Sequence, residues 1–284
     1  MRLVSYAAAD GPAAGVLLGA EIVPLSALED VPAATVRGVL EELDGAGLRR
    51  LGELATSASE RLALGDVQLL APVPDAQKII CIGLNYRDHA EESGQEIPQA
   101  PMWFAKFANS LCASGAPIVL PHAHAEYVDY EAELALVIGR TARNAAPEEA
   151  LAHIAGVMPF NDVSARDLQL QNQLWTSGKA IDTFAPCGPA IVTLDEAGDL
   201  GNLTLRTRID GETVQEGTTA NLIFGPAELV AWLSRTLTLV AGDIIATGTP
   251  AGVGAAQGKF LRDGNLVEVE IDGVGTLSNP VRSG

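Results

Sequence analysis

Apolar and polar positions along the chain fall into short strand-like runs with few helical stretches. RLVSYAA (2–8) and AGVLLGAEIVPL (14–25), punctuated by glycines, predict a hairpin or short meander. ATVRGVLEELDGAGLRRLGELA (34–55) has helical periodicity, interrupted at Asp44-Gly45. The Pro-rich stretch APVPDAQK (71–78) reads as a linker. It divides the chain into a small N-terminal domain, residues 1–70, and a larger domain, residues 71–284. Beyond it, KIICIGL, APIVLP, EAELALVIG, PAIVTL, LTLRTRID, DIIAT and LVEVEID predict strands, and IDGETVQEG predicts a hairpin around Asp210-Gly211. NYRDHAEESG (85–94) predicts a short helix with Asn85 as N-cap and Gly94 as its stop. PEEALAHIAG and GPAELVAWLSRT are the clearest helical segments. Helices do not alternate regularly with strands, so a doubly wound sheet is not expected; the pattern predicts an α+β fold built on a mixed sheet or roll.

One strand carries an anomaly. In VDYEAELALVIG (128–139), Glu131 and Glu133 stand two residues apart on one face of a run that is otherwise apolar on both faces. Either they reach water at a strand end or they are buried. A buried carboxylate is costly unless paired or bound to a metal, and two on one face favour a cation.

Composition narrows the chemistry. Of 284 residues 48% are hydrophobic, enough for a sizeable core, and the formal charge is −18 from 18 basic and 36 acidic residues. Such a field repels nucleic acid and anionic membranes. It also repels anionic substrates, so a site for them needs local positive charge. That draws attention to the four lysines, Lys78, Lys106, Lys179 and Lys259. The stretch MRLVSYAAADGP lacks the apolar core of a signal peptide, and no run approaches the roughly 18 apolar residues of a membrane span. Cys81, Cys112 and Cys187 are scattered, without a CxxC, and read as ordinary buried thiols of a reduced, cytoplasmic protein.

Several constellations could carry chemistry. Asp162, in PFNDVSARDLQ, joins Glu131 and Glu133 as a set suited to a hard cation such as Mg²⁺ or Mn²⁺, against the plainer reading of solvated carboxylates. His89 and Glu92 are i and i+3 on a helix, so the carboxylate can orient the imidazole as a general base. Lys179, in WTSGKAIDTFAPCGP, is not in a phosphate loop, because Gln173 and Ala180 stand where that motif needs Gly and Ser or Thr. IIATGTPAGVGAAQG offers backbone N–H groups for an anion, but its spacing does not fit a dinucleotide loop. His122 and His124 read as loop residues and His153 as structural. Met102, Trp103, Phe104 and Phe107 are core residues by default, or a hydrophobic substrate wall. Arg166 and Asp167 could brace the loop after Asp162 as an ion pair.

Taken in order, GLNYRDHAEE, YEAELALVIG, NDVSARDLQ, WTSGKAIDTFAPCGP, QEGTTANLIF and GDIIATGTPAGVG resemble the fumarylacetoacetate hydrolase family, from about Lys78 to Val281. The resemblance implies a mixed β-roll or sandwich core, a homodimer, and Mg²⁺ or Mn²⁺ held by Glu131, Glu133 and Asp162. It implies a catalytic His89–Glu92 dyad on a lid segment and Lys179 as the active-site lysine. Thr249, with Gly248, Arg166 and Asp182, is the implied substrate-binding set. The implied activity is catabolic C–C hydrolysis of a 2,4-diketo acid of the acylpyruvate type, releasing pyruvate or a related 2-oxo acid through an enolate on the metal. Oxaloacetate-type decarboxylation and 2-hydroxy-diene-dioate isomerisation use the same enolate and stand as alternatives. A non-catalytic binding module is a further one, opposed by the presence of the whole residue set. Two departures touch the pocket: Phe107 replaces the proline that often follows the lysine of this segment, and Leu84 follows Gly83 where several small hydrolases carry Arg.

Overall fold

The computed structural model describes residues 1–29, 31, 33–124 and 126–284. The fold is α+β. Among the described residues the strands form a twelve-stranded mixed sheet, a five-stranded mixed sheet and a separate two-stranded ribbon, Val128–Asp129 with Ser164–Ala165. Helices are few and short; the longest among the described residues is Gly45–Ser57. Among the described residues no helix is long and apolar enough to cross a membrane.

Strand Ala132–Ile138 lies at the centre of the large sheet. It pairs antiparallel with Ile154–Asn161 on one side and Ile244–Ala246 on the other, and every residue in it is buried. Its alternation therefore serves two cores. Ala132, Leu134, Leu136 and Ile138 pack into one. Ala135 and Val137 pack into the other with Met158, Phe160 and Cys81. Glu131 and Glu133 fall on this second face at the strand's N-terminal end, so the carboxylates are buried by the same packing.

Strand Ile79–Gly83 runs parallel to Ile244–Ala246, and edge strand Met102–Lys106 pairs with it antiparallel. In the smaller sheet, Thr204–Ile209 and Glu212–Thr218 form the expected hairpin, flanked by Leu266–Ile271. The N-terminal strands continue the large sheet, because Arg2–Ala8 pairs with Ile191–Thr193. Helices Val36–Glu42 and Gly45–Ser57 are separate, capped by Thr35 and Asp44, as the break at Asp44-Gly45 suggested.

Three local expectations differ. Segment 147–156 is not an α-helix. Ala150–His153 is a short 3₁₀ turn, and the chain enters strand Ile154–Asn161 at once, because burying IAGVMPF in the sheet outweighs the helical pattern before it. Asn85 is not the cap of helix Arg87–Glu92; its amide donates to the Phe224 and Thr247 carbonyls instead. Residues 71–78 are not loose, since Ala71, Val73 and Ala76 are buried and Ser5 Oγ donates to the Pro72 carbonyl.

Candidate active site

The carboxylates of Glu131, Glu133 and Asp162 converge, with a ligand oxygen from each within 4.8 Å of the others. Ala132 pairs in register with Asn161, which brings the start of one strand beside the end of its neighbour and so sets Asp162 against the two glutamates. Asn161 Oδ1 accepts from the Glu131 N–H, and the Asp162 N–H donates to the Glu131 carbonyl, which fixes this end of the ladder.

Three cations hold the acids, Lys179 and Lys106 buried and Arg166 partly buried. Lys179 Nζ donates to Glu131 Oε2 at 2.8 Å and to Asp162 Oδ2 at 2.7 Å. Lys106 Nζ donates to Asp162 Oδ1 and to the Val163 carbonyl. Arg166 Nη2 lies 2.7 Å from Glu131 Oε1 and 2.7 Å from Asp129 Oδ2. Burial alone lowers both lysine pKa values. It prevails at Lys106, which faces one carboxylate, and is outweighed at Lys179, which faces two. Burial would raise the Glu131 pKa, but Lys179 and Arg166 bring it down to about 2.

Glu133 is different. Among the described residues no basic side chain pairs with it, and its Oε2 takes the Gly248 N–H at 2.9 Å. Burial, then the neighbouring Asp162 and Glu131 charges, push its pKa well up. Counting Asp129, four carboxylates face three cations, so one negative charge lacks a partner when all are ionised. Converging oxygen donors and a missing positive charge fit a hard divalent cation, and carboxylates keep lone pairs free beyond those the lysines use.

Glu131, Glu133, Arg166 and Lys179 line a cavity of about 340 Å³. His89 and Glu92 stand on its wall, with His89 Nδ1 3.3 Å from Glu92 Oε2. Glu92 Oε1 accepts from the Gly252 N–H at 2.9 Å, which ties helix Arg87–Glu92 to the loop after Thr249. Apolar wall comes from Phe104, Trp175 and Val253. Phe104 and Trp175 meet edge-on at 5.6 Å, and Lys179 Nζ sits 5.1 Å from the Phe104 ring. Trp175 lies so close to Gly83 that a Cβ there would come within 2.3 Å of its ring, which explains the glycine. Gly248 has φ +101°, a conformation that aims its N–H at Glu133 and that a side chain would strain.

The structure brings together Glu131, Glu133, Asp162, His89, Glu92, Lys179, Arg166, Gly248 and Thr249. It leaves out Asp182, which is exposed, accepts from Asn109 Nδ2 and does not line the cavity. Arg166 and Asp167 are not a pair: Arg166 turns inward to Asp129 and Glu131, while Asp167 bonds His124. Of the aromatic segment, Phe104 lines the cavity, whereas Met102, Trp103 and Phe107 are exposed.

Sequence reasoning did not place Lys106, Asp129 or Gln215 here. Asp129 Oδ1 accepts from the Tyr130 and Gly254 N–H groups, and Oδ2 from Ala255 and Arg166. The signal for Lys106 was its scarcity as a lysine and its period-two spacing from Phe104. Nothing local marked Asp129 or Gln215.

The fumarylacetoacetate (FAA) hydrolase C-terminal family profile matches residues 78–282, the part of the chain that holds every residue of the cavity. An oxaloacetate tautomerase of Xenopus laevis, named as mitochondrial, is 40% identical over 289 residues, covering 99% of this chain and 90% of its own. The solved 2-hydroxyhepta-2,4-diene-1,7-dioate isomerase of Mycobacterium marinum is 34% identical, with a TM-score of 0.79 over 100% of this chain and 98% of its own. A maleylpyruvate hydrolase from Sphingobium sp. SYK-6, solved with manganese(II) and pyruvate, is 31% identical with a TM-score of 0.83 over both whole chains. With the converging acids, the paired lysine and the His–Glu wall in one cavity, these likenesses show that the chain belongs to the fumarylacetoacetate hydrolase family.

Proposed function

We propose that the protein is a Mg²⁺- or Mn²⁺-dependent enzyme that moves a proton at C3 of a short 2-oxo dicarboxylic acid of the oxaloacetate class, interconverting its keto and enol forms. The observation that carries this reading is the placement of His89, oriented by Glu92, in one cavity with Glu131 and Glu133, whose carboxylates converge with that of Asp162. Similarity along almost the whole chain to an oxaloacetate tautomerase supports it.

Glu131, Glu133 and Asp162 would hold the cation, which when bound supplies Lewis-acid polarisation of the 2-oxo group. Glu92 accepts the His89 Nδ1 proton, so Nε2 is free to take the C3 proton and return it. Lys179 keeps positive charge at the cavity floor, where the substrate oxygen becomes more negative. Arg166 and Thr249 lie on the wall available to substrate carboxylates, which offsets the repulsion of a −18 chain. Phe104, Trp175 and Val253 supply an apolar wall beside these groups.

The first expectation from the resemblance, C–C hydrolysis of a 2,4-diketo acid, has the maleylpyruvate hydrolase behind it. Of the enolate alternatives, oxaloacetate decarboxylation shares its substrate with the tautomerase, and diene-dioate isomerisation has the isomerase behind it. We therefore place proton transfer first and retain hydrolysis as the second reading. The test follows the ultraviolet absorbance of enol oxaloacetate. Cation-dependent acceleration of its decay, abolished by chelator, is expected; no acceleration with metal bound would contradict the reading.

A further inference from the structure

We infer that Gln215 is a positioning residue that presets the Thr249 hydroxyl as a hydrogen-bond donor into the cavity, and so tunes the site for a carboxylate; this rests on the proposed function. Gln215 lies on strand Glu212–Thr218 of the smaller sheet, is buried, and does not line the cavity. Its side-chain amide is fixed at both ends. Oε1 accepts from the Ala132 N–H at 3.0 Å and from Thr207 Oγ1 at 2.8 Å. Nε2 donates to the Pro250 carbonyl at 2.9 Å and to Thr249 Oγ1 at 2.7 Å. A backbone N–H can only donate and a carbonyl can only accept, so the amide cannot be turned round without breaking both bonds.

Thr249 follows from this. Its oxygen uses a lone pair on Gln215, which leaves its own hydrogen to be donated elsewhere. Among the described residues it forms no donated bond, and Thr249 lines the cavity. An acceptor entering there meets a donor already oriented. A carboxylate oxygen fits, because it can take that hydrogen. Ala132 sits between Glu131 and Glu133, so the same amide ties the acid-bearing strand to the Thr249–Pro250 loop.

The test is a two-by-two set, Gln215→Met, Thr249→Val and the double variant, with Thr249→Ser as the conservative control. Assayed on oxaloacetate with Mn²⁺, each single variant is expected to raise KM about tenfold, one well-made hydrogen bond to a charged group, with kcat changed less. The double variant is expected to match Thr249→Val, because Gln215 acts through Thr249, and Thr249→Ser, which keeps the hydroxyl, to raise KM less than Thr249→Val. Fully additive KM effects, or a Gln215→Met loss confined to kcat or to thermal midpoint, would overturn the inference. Calorimetric titration of the Mn²⁺-loaded proteins with pyruvate reads the same coupling without turnover. Wild type that binds pyruvate but does not turn over oxaloacetate sinks the proposed reaction and leaves this coupling to be judged on affinity. Pyruvate binding that is absent in wild type, or unchanged across the set, sinks the inference.

Discussion

Lys179 Nζ joins Asp162 Oδ2 at 2.7 Å while reaching Glu131 Oε2 at 2.8 Å, so one ammonium spans two of the three converging acids. Both partners are buried, and removing the cation leaves Arg166 on Glu131 and Lys106 on Asp162 but adds one more buried negative charge without a counter-charge. Loss of one member of a buried pair typically costs about 3–5 kcal/mol. Lys179→Met is expected to lose activity and to unfold at markedly lower urea than wild type. Unchanged stability would show that this ammonium is not what holds the acids together.

Glu131 and Glu133 are expected to behave oppositely. The Glu131 pKa is depressed to about 2, so its stabilising contribution is present above the unfolded carboxylate range and is lost as pH falls toward about 2. The Glu133 pKa is raised, so the folded state holds that proton more tightly and loses stability as pH rises through the folded value. In metal-free protein near neutral pH, Glu131→Gln should therefore lower the thermal midpoint and Glu133→Gln should raise it. Both should weaken Mn²⁺ binding by calorimetry. Destabilisation by Glu133→Gln in metal-free protein would remove the argument that this site lacks a positive charge.

Asp129 binds the Gly254 and Ala255 N–H groups and Arg166 at once, so it links the late glycine loop to the acid cluster. Asp129→Ala is expected to destabilise by about 3–5 kcal/mol, as for other broken buried pairs. It should also speed limited proteolysis within 250–258. Wild-type cleavage rates there would show that the loop is held by other means.

The fold class and the two acid-bearing pairs could be read from local pattern, whereas the roles of Lys179, Thr249, Gly248 and Arg166 came only with the ordered motifs that carry the family resemblance. Glu131 and Glu133 share a face by strand alternation, and His89 and Glu92 share one by helix spacing. The unread parts depend on distant pairing. Gln215 reaches Ala132 from a different sheet, and Asp129 reaches residues 125 and 126 positions later. Asn85 looked like a helix cap because its use, bridging Thr247 and Phe224, lies more than 130 positions away in the chain. Asp182 sits two residues from the start of a fully buried stretch, yet its side chain points to Asn109 and solvent.

The most direct measurement assays one preparation of wild type and His89→Gln for two reactions, enol oxaloacetate decay and pyruvate release from an acylpyruvate, each with Mn²⁺ and with chelator. We expect wild type with Mn²⁺ to favour oxaloacetate tautomerisation. The His89→Gln variant should fall by about 10²–10⁴-fold, the usual worth of a positioned base, while still binding Mn²⁺. Acylpyruvate cleavage outpacing tautomerisation, or a His89→Gln variant as fast as wild type, would contradict proton transfer by His89 as the function of this site.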